Sequence, residues 1–150
     1  MRKFEEVSTE FKKHSVPALL PKRGTKTAVC YDFYCPIDVT IYAGKITTVW
    51  TDIKAYFNAN EGLFLATRSS MGAKGIILAN GIGIIESDYA DNSSNGGNIG
   101  FMLYNFSDQD YQLKAGDKLG QAFFANFLTT DNEEEITTIR TGGFGSTGIR

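Results

Sequence analysis

The 150-residue sequence holds one histidine, one tryptophan, two cysteines and three prolines, and no apolar run approaches the length of a membrane span. Each scarcity closes a class of mechanism. His14 sits among Lys12, Lys13 and Ser15 and reads as exposed rather than catalytic, so most histidine-based chemistry has no residue to use. Cys30 and Cys35 have no companion cysteines and no nearby histidine, which excludes a zinc site of the usual spacing. Five apart on one extended segment, they point to opposite faces, and the expectation is two reduced, partly buried thiols. The formal net charge is -2, and without clustered Lys and Arg the surface is not one that coats a nucleic-acid polymer. A single small anion can still be held by a few local donors. Met1-Arg2-Lys3-Phe4-Glu5-Glu6 is followed by more charge instead of an apolar signal core, so the expected compartment is the cytoplasm, with no membrane partner.

Sustained helical periodicity is also missing, and what stands in its place is strand-forming. With 42% hydrophobic residues and 16 glycines, the chain reads as one globular domain with many tight turns. From Thr27 to Trp50 the residues are β-branched and aromatic, interrupted at Ala43-Gly44-Lys45. The pattern continues through Thr51 to Phe57, Gly62 to Ala66, Ile99 to Asn105, Tyr111 to Leu113 and Leu119 to Leu128. Residues 1 to 16 fit either an edge strand or a loose arm. One short helical turn is expected at Ser69 to Lys74, with Ser69 or Ser70 as its cap. Ala90 to Asn98, polar and glycine-rich, reads as an extended hairpin loop, and Thr129 to Glu135 as an acidic surface loop. The fold class is all-β.

Two stretches carry chemistry. Leu65 to Tyr89 sets one arginine, two adjacent serines, an amide, two carboxylates and a tyrosine into an apolar background. Asn80 and Glu86 are expensive to bury without partners, so they mark either a pocket mouth or ordinary turn and strand-end positions. The ending Arg140-Thr141-Gly142-Gly143-Phe144-Gly145-Ser146-Thr147-Gly148 loses too much entropy on ordering to pack as a regular element. It has the parts of an anion grip: approachable backbone N–H groups, two hydroxyls, a guanidinium, and a ring able to stack on a flat ligand.

These pieces together resemble the trimeric deoxyuridine triphosphate nucleotidohydrolases, the dUTPases. Five motifs match in order from residue 28 to residue 148. They are Ala28-Val29-Cys30-Tyr31-Asp32-Phe33; Arg68-Ser69-Ser70-Met71-Gly72 with Lys74-Gly75-Ile76; Asn80 through Gly83, Ile85 and Glu86 to Asp88-Tyr89; Gly116-Asp117-Lys118-Leu119-Gly120-Gln121; and the tail from Arg140. The resemblance implies a jelly-roll-like β-barrel over residues 1–139 and a flexible glycine-rich lid over residues 140–150. It also implies a homotrimer in which the C-terminal arm of one subunit completes a neighbouring site.

The ligand so implied is dUTP. Asn80 would hydrogen-bond the uracil edge, with Gly83 and backbone groups near Gly100 in the same site, and Tyr89 would lie against the deoxyribose and exclude a 2′-hydroxyl. Arg68, Ser69, Ser70 and Gln121 would hold phosphates. Phe144 would close over the base while Arg140, Gly145, Ser146 and Thr147 reach the γ-phosphate end. Mg²⁺ would be carried by the triphosphate and water, with Asp32 in its outer shell. Glu86, assisted by Asp88 on the same strand face, would activate the water that attacks the α-phosphorus, releasing dUMP and pyrophosphate.

The sequence departs from the family pattern in three places. Glu86 stands where an aspartate is usual, Cys30 where a glycine is usual, and Asp91 to Gly96 is an insertion. Two alternatives follow. A dCTP deaminase shares the implied fold but needs a glutamate at the position of Met102, and a thioether cannot transfer a proton. A catalytically weak dUTP-binding protein of phage type would instead use the insertion to engage a regulatory protein partner.

Overall fold

The computed structural model describes residues 1–143 and 148. Among them are eleven strands: β1 (Lys3–Glu6), β2 (Tyr31–Tyr34), β3 (Val39–Ile41), β4 (Ile46–Trp50), β5 (Ile53–Tyr56), β6 (Glu61–Ala66), β7 (Ile76–Leu78), β8 (Gly83–Glu86), β9 (Gly100–Asn105), β10 (Tyr111–Leu113) and β11 (Lys118–Asn126). One helical turn, α1 (Ser69–Gly72), and two 3-10 turns, Thr9–Phe11 and Ser87–Tyr89, complete the regular structure. All pairings are antiparallel. A four-stranded sheet runs β2-β11-β6-β8, a three-stranded sheet β4-β9-β7, and β1-β5 and β3-β10 are pairs.

Alternation along the strands decides which face is inside. In β6, Leu63 and Leu65 are buried while Phe64 turns outward and stacks on its register partner Phe123 of β11, ring centroids 5.5 Å apart. In β9, Phe101, Leu103 and Asn105 are fully buried and Met102 and Tyr104 are not. The two larger sheets meet where Phe101 packs on Phe33 of β2, centroids 5.3 Å apart. That approach needs Gly120, because a Cβ there would stand 2.3 Å from Phe101 Cε1. Buried Asn105 is fully used: its amide donates to Ile41 O and Gln109 O, and its Oδ1 accepts from Ser107 N and Oγ.

Several expectations are refined. The N-terminal segment is a strand, β1, paired with β5. His14 is not exposed: it is half-buried, with Nε2 3.1 Å from Trp50 O. It is drawn in by Asp52, whose carboxylate accepts the Lys13 and His14 N–H groups at 2.8 and 3.0 Å. Arg68, not a serine, is the N-cap of α1, and its carbonyl accepts the Met71 and Gly72 N–H groups. Both cysteines are free thiols, and burial pushes Cys35 up to about 11.

Asp91 to Asn98 is a compact knot of side-chain and backbone hydrogen bonds instead of an extended hairpin. Asn92 Oδ1 accepts from Ser94 N, Ser94 Oγ and Asn95 N. Gly96 and Gly97 both take positive φ, at 66° and 83°.

Candidate functional site

The connection from β7 to β8, which belong to different sheets, turns at Asn80-Gly81, where Gly81 has φ 77° and the Ile82 N–H bonds Asn80 O at 2.9 Å. The turn leaves the Asn80 side chain exposed at the mouth of a cleft of about 280 Å³. Gly83 lies deeper, against Leu65, and Gly100 against Trp50; a Cβ at either would come within 2.8 Å of those side chains. Backbone therefore forms part of the cleft wall where other residues would fill it. Glu86 and Tyr89 line the same cleft, as do Arg140 and Gly143 from the C-terminal segment.

Asp88 reaches Glu86 by a different route from the one expected. β8 ends at Glu86 and the chain enters the 3-10 turn Ser87–Tyr89, so strand alternation does not set Asp88. A shared cation joins the two. Arg140 Nη2 donates to Glu86 Oε2 and Nε to Asp88 Oδ1, each at 2.8 Å, while Nη1 reaches Gly142 O at 2.9 Å. Burial alone would lower the Arg140 pKa, but the Asp88 hydrogen bond and the two carboxylate charges hold it above its ordinary value. The expectation put Arg140 at a triphosphate; here its nearest anions are the carboxylates of its own chain. Gly143 lies on the Tyr89 ring, where a Cβ would come 2.7 Å from Cε2.

Tyr89 is buried, with its hydroxyl donating to Asn98 O at 2.6 Å and accepting from Asn95 Nδ2 at 2.8 Å. Desolvation pushes its phenol pKa up, partly offset by the Asn95 hydrogen bond and the Arg140 charge.

The remaining phosphate-type residues gather elsewhere. Asp32, buried in β2, has Oδ1 3.5 Å from Arg68 Nε and Oδ2 3.1 Å from Lys118 Nζ. Gln121 pairs with Asp32 across β11 and β2, and its amide donates to Thr67 O at 3.1 Å. These residues line a second cavity of about 400 Å³, and Ser69 and Ser70 are exposed beside Arg68. One chain thus brings Asn80, Gly83, Glu86, Asp88, Tyr89, Gly100 and Arg140 together, and Asp32, Arg68 and Gln121 in another place. Within one chain Asp32, the expected outer-shell partner of Mg²⁺, lies between Arg68 and Lys118 on the second cavity and apart from Glu86 and Asp88.

Phe144, Gly145, Ser146 and Thr147 lie outside the described residues. Lys118 and Gly143 are cavity-lining residues that the sequence reading assigned no role. Both fall inside quoted motifs, and their neighbours Gln121 and Phe144 were the available signal. Among the described residues, no three His, Cys, Asp or Glu side chains are grouped to hold a metal ion.

The geometry agrees with what the chain is similar to. The dUTPase family model matches residues 17–148. A deoxyuridine 5′-triphosphate nucleotidohydrolase from Lactococcus lactis is 37% identical over 145 residues, 95% of each chain. A crystal structure of a dUTPase from Streptococcus mutans superposes with a TM-score of 0.76 at 38% identity, covering 87% of this chain and 99% of that one. A variant dUTPase from phage phi11 of S. aureus, which coordinates a structural Mg(II) ion, shares the fold at 18% identity and TM-score 0.70, over 92% of this chain and 98% of that one. A sequence match across both cavities and the C-terminal segment, together with the shared fold, places this chain in the dUTPase family.

Proposed function

We propose that the chain hydrolyses dUTP to dUMP and pyrophosphate, with Glu86 orienting and deprotonating the water that attacks the α-phosphorus. The observation that carries this reading is the convergence on one cleft of an exposed amide, two glycine-thinned walls, a buried tyrosine and a carboxylate. Asn80 reads the uracil edge, with Gly83 and Gly100 admitting the base close to backbone. Tyr89 lies under the deoxyribose, where a 2′-hydroxyl has no room. Glu86 is half-exposed at the rim, with room for a water. Arg140 moves from the carboxylates to the triphosphate, since a polyanion competes for a guanidinium more strongly than two exposed carboxylates do. That exchange frees Glu86 when substrate is bound.

Of the phosphate-binding set, Arg68 and Gln121 line the second cavity of the same chain, and Ser69 and Ser70 are exposed beside Arg68. A site that needs both sets is completed between subunits, which supports the homotrimer. The lid residues Phe144, Gly145, Ser146 and Thr147 close over base and γ-phosphate in this reading, on the strength of the family motif. Magnesium enters as part of the substrate, Mg–dUTP. The described residues do not fit a resident ion, because Asp32 is held between Arg68 and Lys118 and no three His, Cys, Asp or Glu side chains among them are grouped together. A cytoplasmic enzyme acting on a free nucleotide, with no polymer or membrane partner, completes the picture.

One observation favours a second reading, a dUTP-binding regulator with weak catalysis: Glu86 carries one methylene more than the family's aspartate and is held by Arg140. Pyrophosphate release from dUTP decides between them, with dCTP and an ammonia readout run in parallel. Rapid hydrolysis of dUTP supports the enzyme. Saturable binding with negligible hydrolysis at any Mg²⁺ concentration supports the regulator. Sedimentation equilibrium tests the trimer.

A further inference from the structure

The Asp91 to Asn98 segment lies next to the cleft but contributes no residue to its lining. Its hydrogen bonds converge on one atom that does matter there, the Tyr89 hydroxyl. Asn95 Nδ2 donates to that oxygen at 2.8 Å, and the oxygen donates to Asn98 O at 2.6 Å. Asn95 is itself fixed, because its Oδ1 accepts from Asn92 Nδ2 at 2.7 Å and Gly97 N at 3.0 Å. Asn92 Nδ2 also donates to Tyr89 O at 2.8 Å, so backbone and phenol of the tyrosine are gripped by the same loop.

The loop is anchored on two sides. Asp91 bonds Lys54 Nζ at 2.6 Å and also accepts from the Tyr56 hydroxyl. Buried Asn98 donates to Asp52 Oδ1 at 2.8 Å and to Phe11 O at 3.2 Å, and accepts from Asp52 N at 2.9 Å. A tight turn stands behind them, since a Cβ on Gly97 would come 2.6 Å from Ala90 Cα. A phenol with one donor and one acceptor partner, both on an anchored loop, has a fixed ring plane and a fixed depth in the cleft.

We propose that Asn95 is a positioning residue for sugar discrimination: through the Tyr89 hydroxyl it holds the ring at the depth that admits a 2′-deoxyribose and rejects a ribose. This rests on the reading of Tyr89 as the surface under the sugar. A hydroxyl is rejected by the clash and lost hydrogen bonding it meets against a rigid wall, and a wall that can recede rejects it less well. The loop thereby acts on the reaction without touching substrate.

The test compares kcat/KM for dUTP and UTP in the wild type, Asn95→Asp, Asn95→Ala, Tyr89→Phe and the Asn95→Ala/Tyr89→Phe pair, with Tm recorded for each. Asn95→Asp keeps the acceptor for Gly97 and Asn92 but removes the amide donor to the phenol. Each Asn95 variant is expected to lower the dUTP:UTP ratio about tenfold, the scale of one lost hydrogen bond, and Tyr89→Phe, which loses both bonds of the hydroxyl, at least as much. The double variant should lower it no further, because all three act through one oxygen. An unchanged ratio in the Asn95 variants, whatever the Tm, overturns the inference, and so does an additive double variant. Tyr89→Phe leaves the loop side chains intact, so an unchanged ratio there overturns it even if the Asn95 variants fail to fold. A wild type that does not discriminate, or Tyr89→Ala that discriminates as well as wild type, overturns the underlying reading of the tyrosine instead.

Discussion

Arg140 and Glu86 are joined by an ion pair, Nη2 to Oε2 at 2.8 Å, at the rim of the cleft that holds Asn80 and Tyr89. The guanidinium side chain is only 13% exposed while the carboxylate is 56% exposed. The contact thus orders a buried cation more than it buries an acid. It ties the C-terminal segment to the cleft at the residue proposed to activate water, and it leaves that acid reachable from solvent.

The half-exposed carboxylates bound the contribution of this contact to folding. Arg140→Ala is expected to change stability by less than about 1 kcal/mol, the range for screened surface pairs. Its effect on substrate is larger if the guanidinium transfers to the triphosphate. KM for dUTP should rise about tenfold or more, as for loss of a charge-assisted hydrogen bond. Thermal unfolding and steady-state kinetics on the same preparation separate the two effects.

Gly120 is where the two larger sheets close. A methyl at this position meets the Phe101 ring at 2.3 Å, and Phe101 is fully buried against Phe33 with no free space to retreat into. Gly120→Ala should destabilise by about 1–3 kcal/mol, the usual scale of overpacking. Urea unfolding followed by fluorescence measures it, and Gly116→Ala makes an informative contrast. No atom lies within 4 Å of a Cβ at Gly116, so strain there comes from its φ of 88° alone.

Asp91 gives the fold a small acid sensitivity. The Lys54 hydrogen bond, then that from Tyr56, holds its carboxyl below the ordinary range. A lowered folded-state pKa means that the stabilisation is present above the unfolded value, about 4, and is lost as pH falls through the folded value beneath it. The side chain is 54% exposed, so the amplitude is modest. Asp91→Asn should be less stable than wild type at neutral pH, and the gap should narrow as pH drops below about 4. Denaturation midpoints across that range check the sign.

Much of this was legible in the sequence. Alternating β-branched and aromatic residues set out the strands because a pleated backbone sends neighbours to opposite faces. Tyr111–Leu113 and the turn at Gly44, with φ 70°, fall where the pattern puts them. Asn80, Gly83, Glu86 and Tyr89 were readable as a cleft because they fall within one short stretch of sequence running from the Asn80 turn through β8 to the 3-10 turn. The Asp91 to Asn98 knot was not, since asparagine amides fold it through bonds to backbone and to one another, and composition gives no period for that. His14 looked exposed because its neighbours are charged, yet the residue that draws it in, Asp52, lies 38 positions away. The Arg140 contacts to Asp88 and Glu86 span 52 and 54 positions, and no local pattern announces them.

The central claim is that Glu86 handles the proton of the attacking water while other groups hold the nucleotide. Glu86→Gln keeps size and shape and removes the base, so the measurement is dUTP turnover by pyrophosphate release, paired with dUTP binding by calorimetry. The account predicts turnover reduced by about a hundredfold or more with dUTP still bound at near wild-type affinity. Near wild-type turnover in Glu86→Gln would contradict it.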